Sequence, residues 1–573
     1  MGVKKRIVVA IFALCAIFAC VCVMGSPLSL QFNYPEGFYN EDIDLKFNYF
    51  HFGKIYYTLD GSEPTPNSIK YKGKIELTNA SELVNGSSMR TDHSPGFNSE
   101  LLQKYGYDVP GYKAPNYNID KAYHVRAALY DFFGKKYDEV DGMYFVNLSQ
   151  SDMYKNMAVA SITTDKKNLW DYDTGIYTGG RKLREYEESI SGANAQDECS
   201  HWESWPANYR DEGKSYERKC KLKFFDESKN LLLSQDCGIR IQGATSRANN
   251  QKGFSIFARK EYSTKDVFEQ DLTNSGYLQD KYVLTAGGQD VRCKMSDYII
   301  QDAIKDYPVG SVDMRPCILF LNGEFWGMYW LQEPYNTSYF NYHYGINSRD
   351  LLLFKNCKLK EGKEADSDEY KKMFDWISEN DMTKKANYKK ACQMIDIDNY
   401  AAYEALMLYV RRIGDWPENN EICWKTTSTD KKNTYADGRW RWVVFDFNSR
   451  SADVEWALDV SQVDNIQDLT CDSMLRSLYL NPDFKRRMSG YLQKLAFQDF
   501  KPEKMDSIIN EYYSRCLLAL YGTNKRFFGD EAKDDIMMNV ANKKYYFARR
   551  HDICREIIIF LFGEEYLWAE WDE

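Results

Sequence analysis

Asp415 and Asn420 stand five residues apart in Gly414-Asp415-Trp416-Pro417-Glu418-Asn419-Asn420, and a second carboxylate, Asp446, closes the apolar run Trp440-Arg441-Trp442-Val443-Val444-Phe445. One carboxylate can orient or deprotonate a hydroxyl nucleophile, while an amide oxygen and a further carboxylate hold a divalent cation. Phosphoryl transfer asks for such a set, because its catalysis is mostly positioning and charge neutralisation. Mg2+ suits these donors, since it takes a few protein oxygens and completes its shell with water and phosphate. Asp, Pro and Asn also favour ordinary turns, so the string read alone serves either purpose.

The elements around these residues must bring them together. From Asp398 to Val410 the residues Tyr400, Tyr403, Leu406, Met407 and Val410 recur at helical spacing, which predicts a buried helix leading into residues 411–420, with Pro417 stopping it. Glu421 to Lys425 alternates and Trp440 to Phe445 is strongly apolar, so both read as strands, with polar Thr426 to Asp437 as their turn. Paired as a hairpin, the start of the first strand lies beside the end of the second. That register carries Asn420 to Asp446.

Upstream, Gly243-Ala244-Thr245-Ser246-Arg247 follows the strand-like Gly238 to Gln242. A Gly and two hydroxyls there let backbone N–H groups approach phosphates, although the same residues make a serviceable turn. Leu321-Asn322-Gly323-Glu324 is a strong hairpin signal between Cys317 to Leu321 and Phe325 to Leu331, and reads as scaffold. Glu333 follows it and could orient a lysine, or be a surface acid.

In their order these segments resemble the CotH family of spore-coat-type secreted kinases. Asp415-Trp416-Pro417, Asn419-Asn420 and Trp424-Lys425 resemble its catalytic loop, and Trp440 to Asp446 its Trp-Arg-Trp strand ending in a metal-binding Asp. Gly238 to Arg247 with Lys252 resembles its nucleotide loop, and Arg315-Pro316 through Asn322-Gly323 and Gly327-Met328-Tyr329 to Glu333 its hairpin. Ile162 to Asp165 and Gly175 to Tyr177 fit its opening. The resemblance spans roughly residues 155 to 500. It implies ATP and Mg2+ as cofactors, Asp415 as the catalytic residue, Asn420 and Asp446 as metal ligands, and Gly243, Ser246, Arg247, Lys252 and Glu333 as nucleotide-binding residues. The chain departs from the pattern at Asp446-Phe447-Asn448-Ser449-Arg450-Ser451, where relatives continue with a second Asp and a Gly-Phe-Gly run. Asn448 keeps an oxygen and loses a charge, which lowers the expected metal affinity and leaves a pseudokinase-like version open.

Residues 27–148 form a different module. Tyr34-Pro35-Glu36-Gly37-Phe38-Tyr39, Ile55 to Thr65 and Tyr123 to Tyr130 resemble the chitobiase/β-hexosaminidase C-terminal type of immunoglobulin-like domain, and alternating runs between Asp-Gly and Gly-Lys turns support a β-sandwich independently. Residues 79–118, rich in Gly, Ser, Asn and Pro, read as an insertion on one rim. After about residue 465 the apolar spacing turns helical.

The amino terminus bounds the compartment. Lys4-Lys5-Arg6 before apolar Ile7 to Met24 has the form of a secretory signal or an uncleaved anchor over residues 1–25, so the chain is expected to be secreted or held at the cell surface. Its net charge of −10 argues against nucleic acid as a partner. Three of the 14 cysteines lie in the leader; the scattered remainder is no disulfide framework, although Cys199, Cys220 and Cys237 are close enough for one bridge.

The expected fold class is α+β: a two-lobed, atypical protein-kinase-like domain over 155–573, preceded by an all-β immunoglobulin-like sandwich. The expected function is transfer of the ATP γ-phosphate to Ser or Thr of a secreted or surface protein. The alternative is a surface binding protein that uses a degraded kinase scaffold, with a cell-envelope polysaccharide as partner. Membrane contact is expected only through the N-terminal segment.

Overall fold

The computed structural model describes residues 29–48, 53–95, 100–107, 112–131, 133–148, 151–410, 420–448 and 472–568. The fold is α+β. Its N-terminal part is a small sandwich. Tyr123–Tyr130 and Lys136–Val146 form the centre of a five-stranded sheet, flanked by Gly37–Tyr39 on one side and by Lys54–Thr58 and Ile69–Lys70 on the other. Leu45 and Leu77, from the pair Ile43–Leu45 and Ile75–Leu77, share one core with Val125, Tyr144 and Val146 of that sheet. Alternation places these residues inside, as period-two patterning requires.

The second unit is a closed seven-stranded barrel: β1 (Ala158–Thr163), β2 (Arg218–Phe225), β3 (Leu231–Gln242), β4 (Gly253–Phe257), β5 (Lys281–Thr285), β6 (Met314–Leu321) and β7 (Glu324–Gln332). The order around it is β1-β2-β3-β4-β5-β7-β6, closed by the parallel pairing of β6 with β1. Between β5 and β6 lies helix α1 (Ser296–Ala303). The β6–β7 turn takes positive φ at Asn322 (50°) and Gly323 (81°), the conformation that Asn-Gly favours.

That turn also docks the sandwich. Gly323 O accepts the Ala122 N–H at 2.8 Å, and the Glu324 carboxylate accepts the N–H groups of Gly86 and, at 2.7 Å, of Ser88. The described parts of the 79–118 insertion therefore sit between the two units rather than on a free rim. His93 lies there, buried against Tyr112, Trp170 and Tyr177.

After β7 and helix α2 (Thr337–Tyr344), a second sheet of order β9-β8-β10-β11 is formed by β8 (Leu351–Lys355), β9 (Lys358–Glu361), β10 (Ile422–Thr426) and β11 (Arg441–Val443). Helix α3 (Ile397–Val410) is apolar nearly all round, and accordingly is buried nearly throughout. Beneath it lie α4 (Pro482–Lys494), α5 (Pro502–Phe528) and α6 (Lys533–Leu561). The carbonyls that α3 leaves unpaired at its end are met by α6: Arg550 donates to Leu408 O at 2.6 Å and to Tyr409 O at 2.8 Å, where the Tyr546 hydroxyl also donates. The helix entering residues 411–419 is thus capped by distant side chains.

Helix α5 joins the barrel at one glycine. Gly327 in β7 has φ +91°, and a Cβ there would meet Thr523 at 2.9 Å. The Thr523 hydroxyl accepts the Met328 N–H at 2.8 Å.

Candidate functional site

A cleft of about 430 Å3 separates the barrel from the second sheet. Phe257 of β4 and Val283 of β5 face Leu353, Ile422 and Phe445 across it. The chain crosses from one side to the other at Glu333-Pro334-Tyr335. Pro334 has no N–H and the Glu333 N–H donates to Asp313 O, so Tyr335 carries the remaining backbone donor of this crossing. The Tyr335 hydroxyl lies 2.9 Å from Gly310 O and 2.6 Å from Val444 O, tying the crossing to the end of β11.

Around this end of the cleft the charges are mixed. Lys281 lies beside Asp280 and Glu361, and Arg240, Arg259 and Lys281 all sit over the Phe257 ring, at 4.2, 4.8 and 5.4 Å. Burial, with Arg240 adding, pushes the Lys281 ammonium down to about 8. Lys355 lies 3.7 Å from the Phe445 ring centroid. The cleft thus combines apolar side chains on both walls with a polar crossing and charged margins.

The hairpin that the sequence predicts is present. β10 and β11 pair antiparallel with Ile422 opposite Val443 and Trp424 opposite Arg441. Continued past its last pair, this register sets Asn420 opposite Phe445, one residue from Asp446. Both residues are half-buried and both take positive φ, 58° for Asn420 and 60° for Asp446. Such backbone is tolerated best by Asn and Asp among residues with a side chain.

The turn after Asp446 is supported from the barrel side. The Asp297 carboxylate, on α1, accepts the Phe447 N–H at 3.2 Å, and Asp446 Oδ1 accepts the Asn448 N–H at 3.3 Å. Next to Asn420, Glu421 turns away from the cleft. It accepts from the Trp442 indole at 2.5 Å and the Tyr370 hydroxyl at 2.9 Å, and burial raises its carboxyl to about 7.

Two loops of the barrel meet near the turn after Asp446. The first, residues 243–252, joins β3 to β4. Gly243 has φ +125°, and a Cβ there would lie 2.3 Å from the Ser246 hydroxyl. Arg247 is spent on the loop itself, donating to Gly243 O at 2.6 Å and to Tyr209 O at 3.2 Å, with Glu212 at 3.2 Å. Lys252 is sealed inside: its ammonium donates to Arg247 O at 2.5 Å and Asn249 O at 2.9 Å and lies 3.8 Å from the Tyr209 ring centroid.

The second loop follows β5, with positive φ at Gly287 and Gly288. A Cβ on Gly288 would meet Asn448 at 2.9 Å, and Gly288 O accepts from Asn249 at 2.9 Å. This loop too has a buried ammonium behind it, Lys294, which donates to Ala286 O and which burial pushes down to about 7. Each lysine thus holds carbonyls of its loop from the buried side.

The structure sets Gly243, Asn420 and Asp446 within two residues of the cleft-lining Gln242, Ile422 and Phe445, with Ser246 farther along the loop that Gly243 opens. It places Lys252 and Arg247 in the support of the loop rather than on its open face. Glu333 is buried at the crossing, where it takes the Asp313 N–H at 2.8 Å, the Tyr277 hydroxyl at 2.7 Å and the Gln279 amide at 3.3 Å, with His343 at 3.5 Å. The lysine expected beside it is not among these partners. Asp415 lies outside the described residues. The residues that sequence reasoning missed are Lys281, Lys294, Asp297 and the Gly287-Gly288 pair; of these only the pair, standing between a strand and a helix start, carries a signal in the sequence.

No three His, Cys, Asp or Glu side chains among the described residues form a metal cage. Asp446, Asn448, whose N–H it accepts, and Asn420, one register position away, carry only oxygen donors of the kind Mg2+ takes together with phosphate and water.

Residues 239–524 match the family model described as CotH kinase protein, and residues 34–84 match the one described as chitobiase/beta-hexosaminidase C-terminal domain. No curated protein matches the chain.

Proposed function

On the footing that residues 239–524 make this chain a member of the CotH kinase protein family, we propose that it transfers the γ-phosphoryl group of ATP to a Ser or Thr hydroxyl of a secreted or surface protein. The observation that supports the proposal is the β10–β11 hairpin, whose register continued puts Asn420 opposite Phe445, next to Asp446. The slot between Phe257, Val283, Ile422 and Phe445 takes the base, and the two glycine loops present N–H groups to the phosphates. Asp415 orients the acceptor hydroxyl and takes its proton as the new P–O bond forms and ADP leaves. Asn420 and Asp446 would hold Mg2+, which when bound neutralises charge on the phosphates. Asp297 keeps Asp446 in place through the Phe447 N–H.

The N-terminal segment would carry the chain out of the cytoplasm. Among the described residues no helix is long and apolar enough to cross a membrane. Purified protein with Mg-ATP and a Ser-rich acceptor tests the chemistry: Asp415→Ala and Asp446→Asn are each expected to lower phosphate incorporation at least about 100-fold. Equal incorporation by wild type and Asp415→Ala would remove Asp415 from the mechanism.

A second reading draws on Lys252 being sealed and on Asn448 replacing an acid. Under it the cleft is a scaffold, and the protein binds an envelope polymer or glycan at the surface. Thermal melting with and without Mg-ATP separates the two, since a scaffold shows no Mg-dependent shift.

A further inference from the structure

Cys220 on β2 and Cys237 on β3 face each other directly in the ladder, in the middle of continuous antiparallel pairing from Arg218 to Phe224. Both are buried, and their sulfurs lie 3.3 Å apart. We propose that these two residues are a disulfide-forming pair that staples the hairpin carrying the Gly243 loop. Each thiol gives up its proton, one S–S bond forms, and two electrons and two protons pass to a disulfide oxidant, a thiol oxidoreductase or a small-molecule disulfide, which leaves as the dithiol.

The change of geometry is small. From 3.3 Å the sulfurs must close to about 2.05 Å. The chemistry also sets the order of events. Burial and the neighbouring Cys237 push the Cys220 thiol up, so the reactive thiolate is scarce once the barrel is closed. The bond therefore forms while the hairpin is still open to the oxidant, and burial then shields it from reductants. By restricting the unfolded chain, the link favours the hairpin whose far end leads into Gly243.

This inference is independent of the kinase reading. The full chain is refolded once in a mixture of reduced and oxidised glutathione and once in excess reductant, alkylated, and digested with trypsin without reduction. Cleavage after Lys219, Lys221, Lys229 and Arg240 puts the two cysteines on separate peptides. The expected result is peptide 220–221 joined to peptide 230–240 in the oxidised sample only, with the joined species absent from Cys237→Ser. Free, alkylated Cys220 and Cys237 in the oxidised sample would overturn the proposal, as would Cys237 joined to Cys199.

Discussion

The cleft at the crossing and the loops beside it are built by opposite means. At the crossing end, strands supply side chains: Phe257, Val283, Ile422 and Phe445 form the slot and Lys281 stands at its margin. At the loop end, backbone does the work: Gly243, Gly287, Gly288, Asn420 and Asp446 all take positive φ, and buried ammonium groups of Lys252 and Lys294 hold loop carbonyls from behind. Under the proposed function the first would recognise the base by apolar contact and the second the phosphates through loop backbone and side-chain oxygens. A ligand that touches only one end should therefore report on that end alone, and adenosine and ATP form the natural pair of probes.

The largest expected effect is at the loop end. Lys252→Met leaves the carbonyls of Arg247 and Asn249 without their donor and should cost about 2–4 kcal/mol of stability in urea unfolding. Retention of full stability by that variant would mean that the ammonium does not hold the loop. Gly243→Val comes next, because it forces a side chain onto φ +125° and into the Ser246 hydroxyl. By calorimetric titration the Kd for Mg-ATP should rise about 10- to 100-fold while that for adenosine stays within about twofold. Equal weakening of both ligands would erase the distinction between the ends.

The smallest effect belongs to Lys281, whose ammonium is depressed to about 8 by burial and Arg240. It is charged below that pH and neutral above it, so nucleotide binding should weaken about three- to tenfold from pH 7 to pH 9, and Lys281→Arg should flatten the profile. A wild-type profile flat over this range would take Lys281 out of the slot's margin.

How much of this was legible in the sequence follows the same division. Asp446 and Asn420 could be found because polar types at a set spacing, followed by two strand signals and a turn, leave few ways to pair. The Asn322-Gly323 turn was legible because positive φ at both positions names its residues. The slot was not legible, since Val283 or Ile422 looks like any strand residue until the facing sheet is in place. Lys252 shows the limit on the polar side: whether a lysine next to a strand faces the cleft or the interior depends on the bend of the loop before it, which no spacing encodes. The caps of α3 were hidden for a further reason, as Tyr546 and Arg550 lie well over a hundred residues away from the carbonyls they meet.

Strand β7 begins at Glu324, which grips Gly86 and Ser88 of the sandwich, and ends at Gln332, one residue before the crossing at Glu333. Nine residues of extended chain, roughly 30 Å, thus run from the sandwich contact at one tip to the cleft at the other. Pulling or twisting the sandwich would then be felt at the cleft.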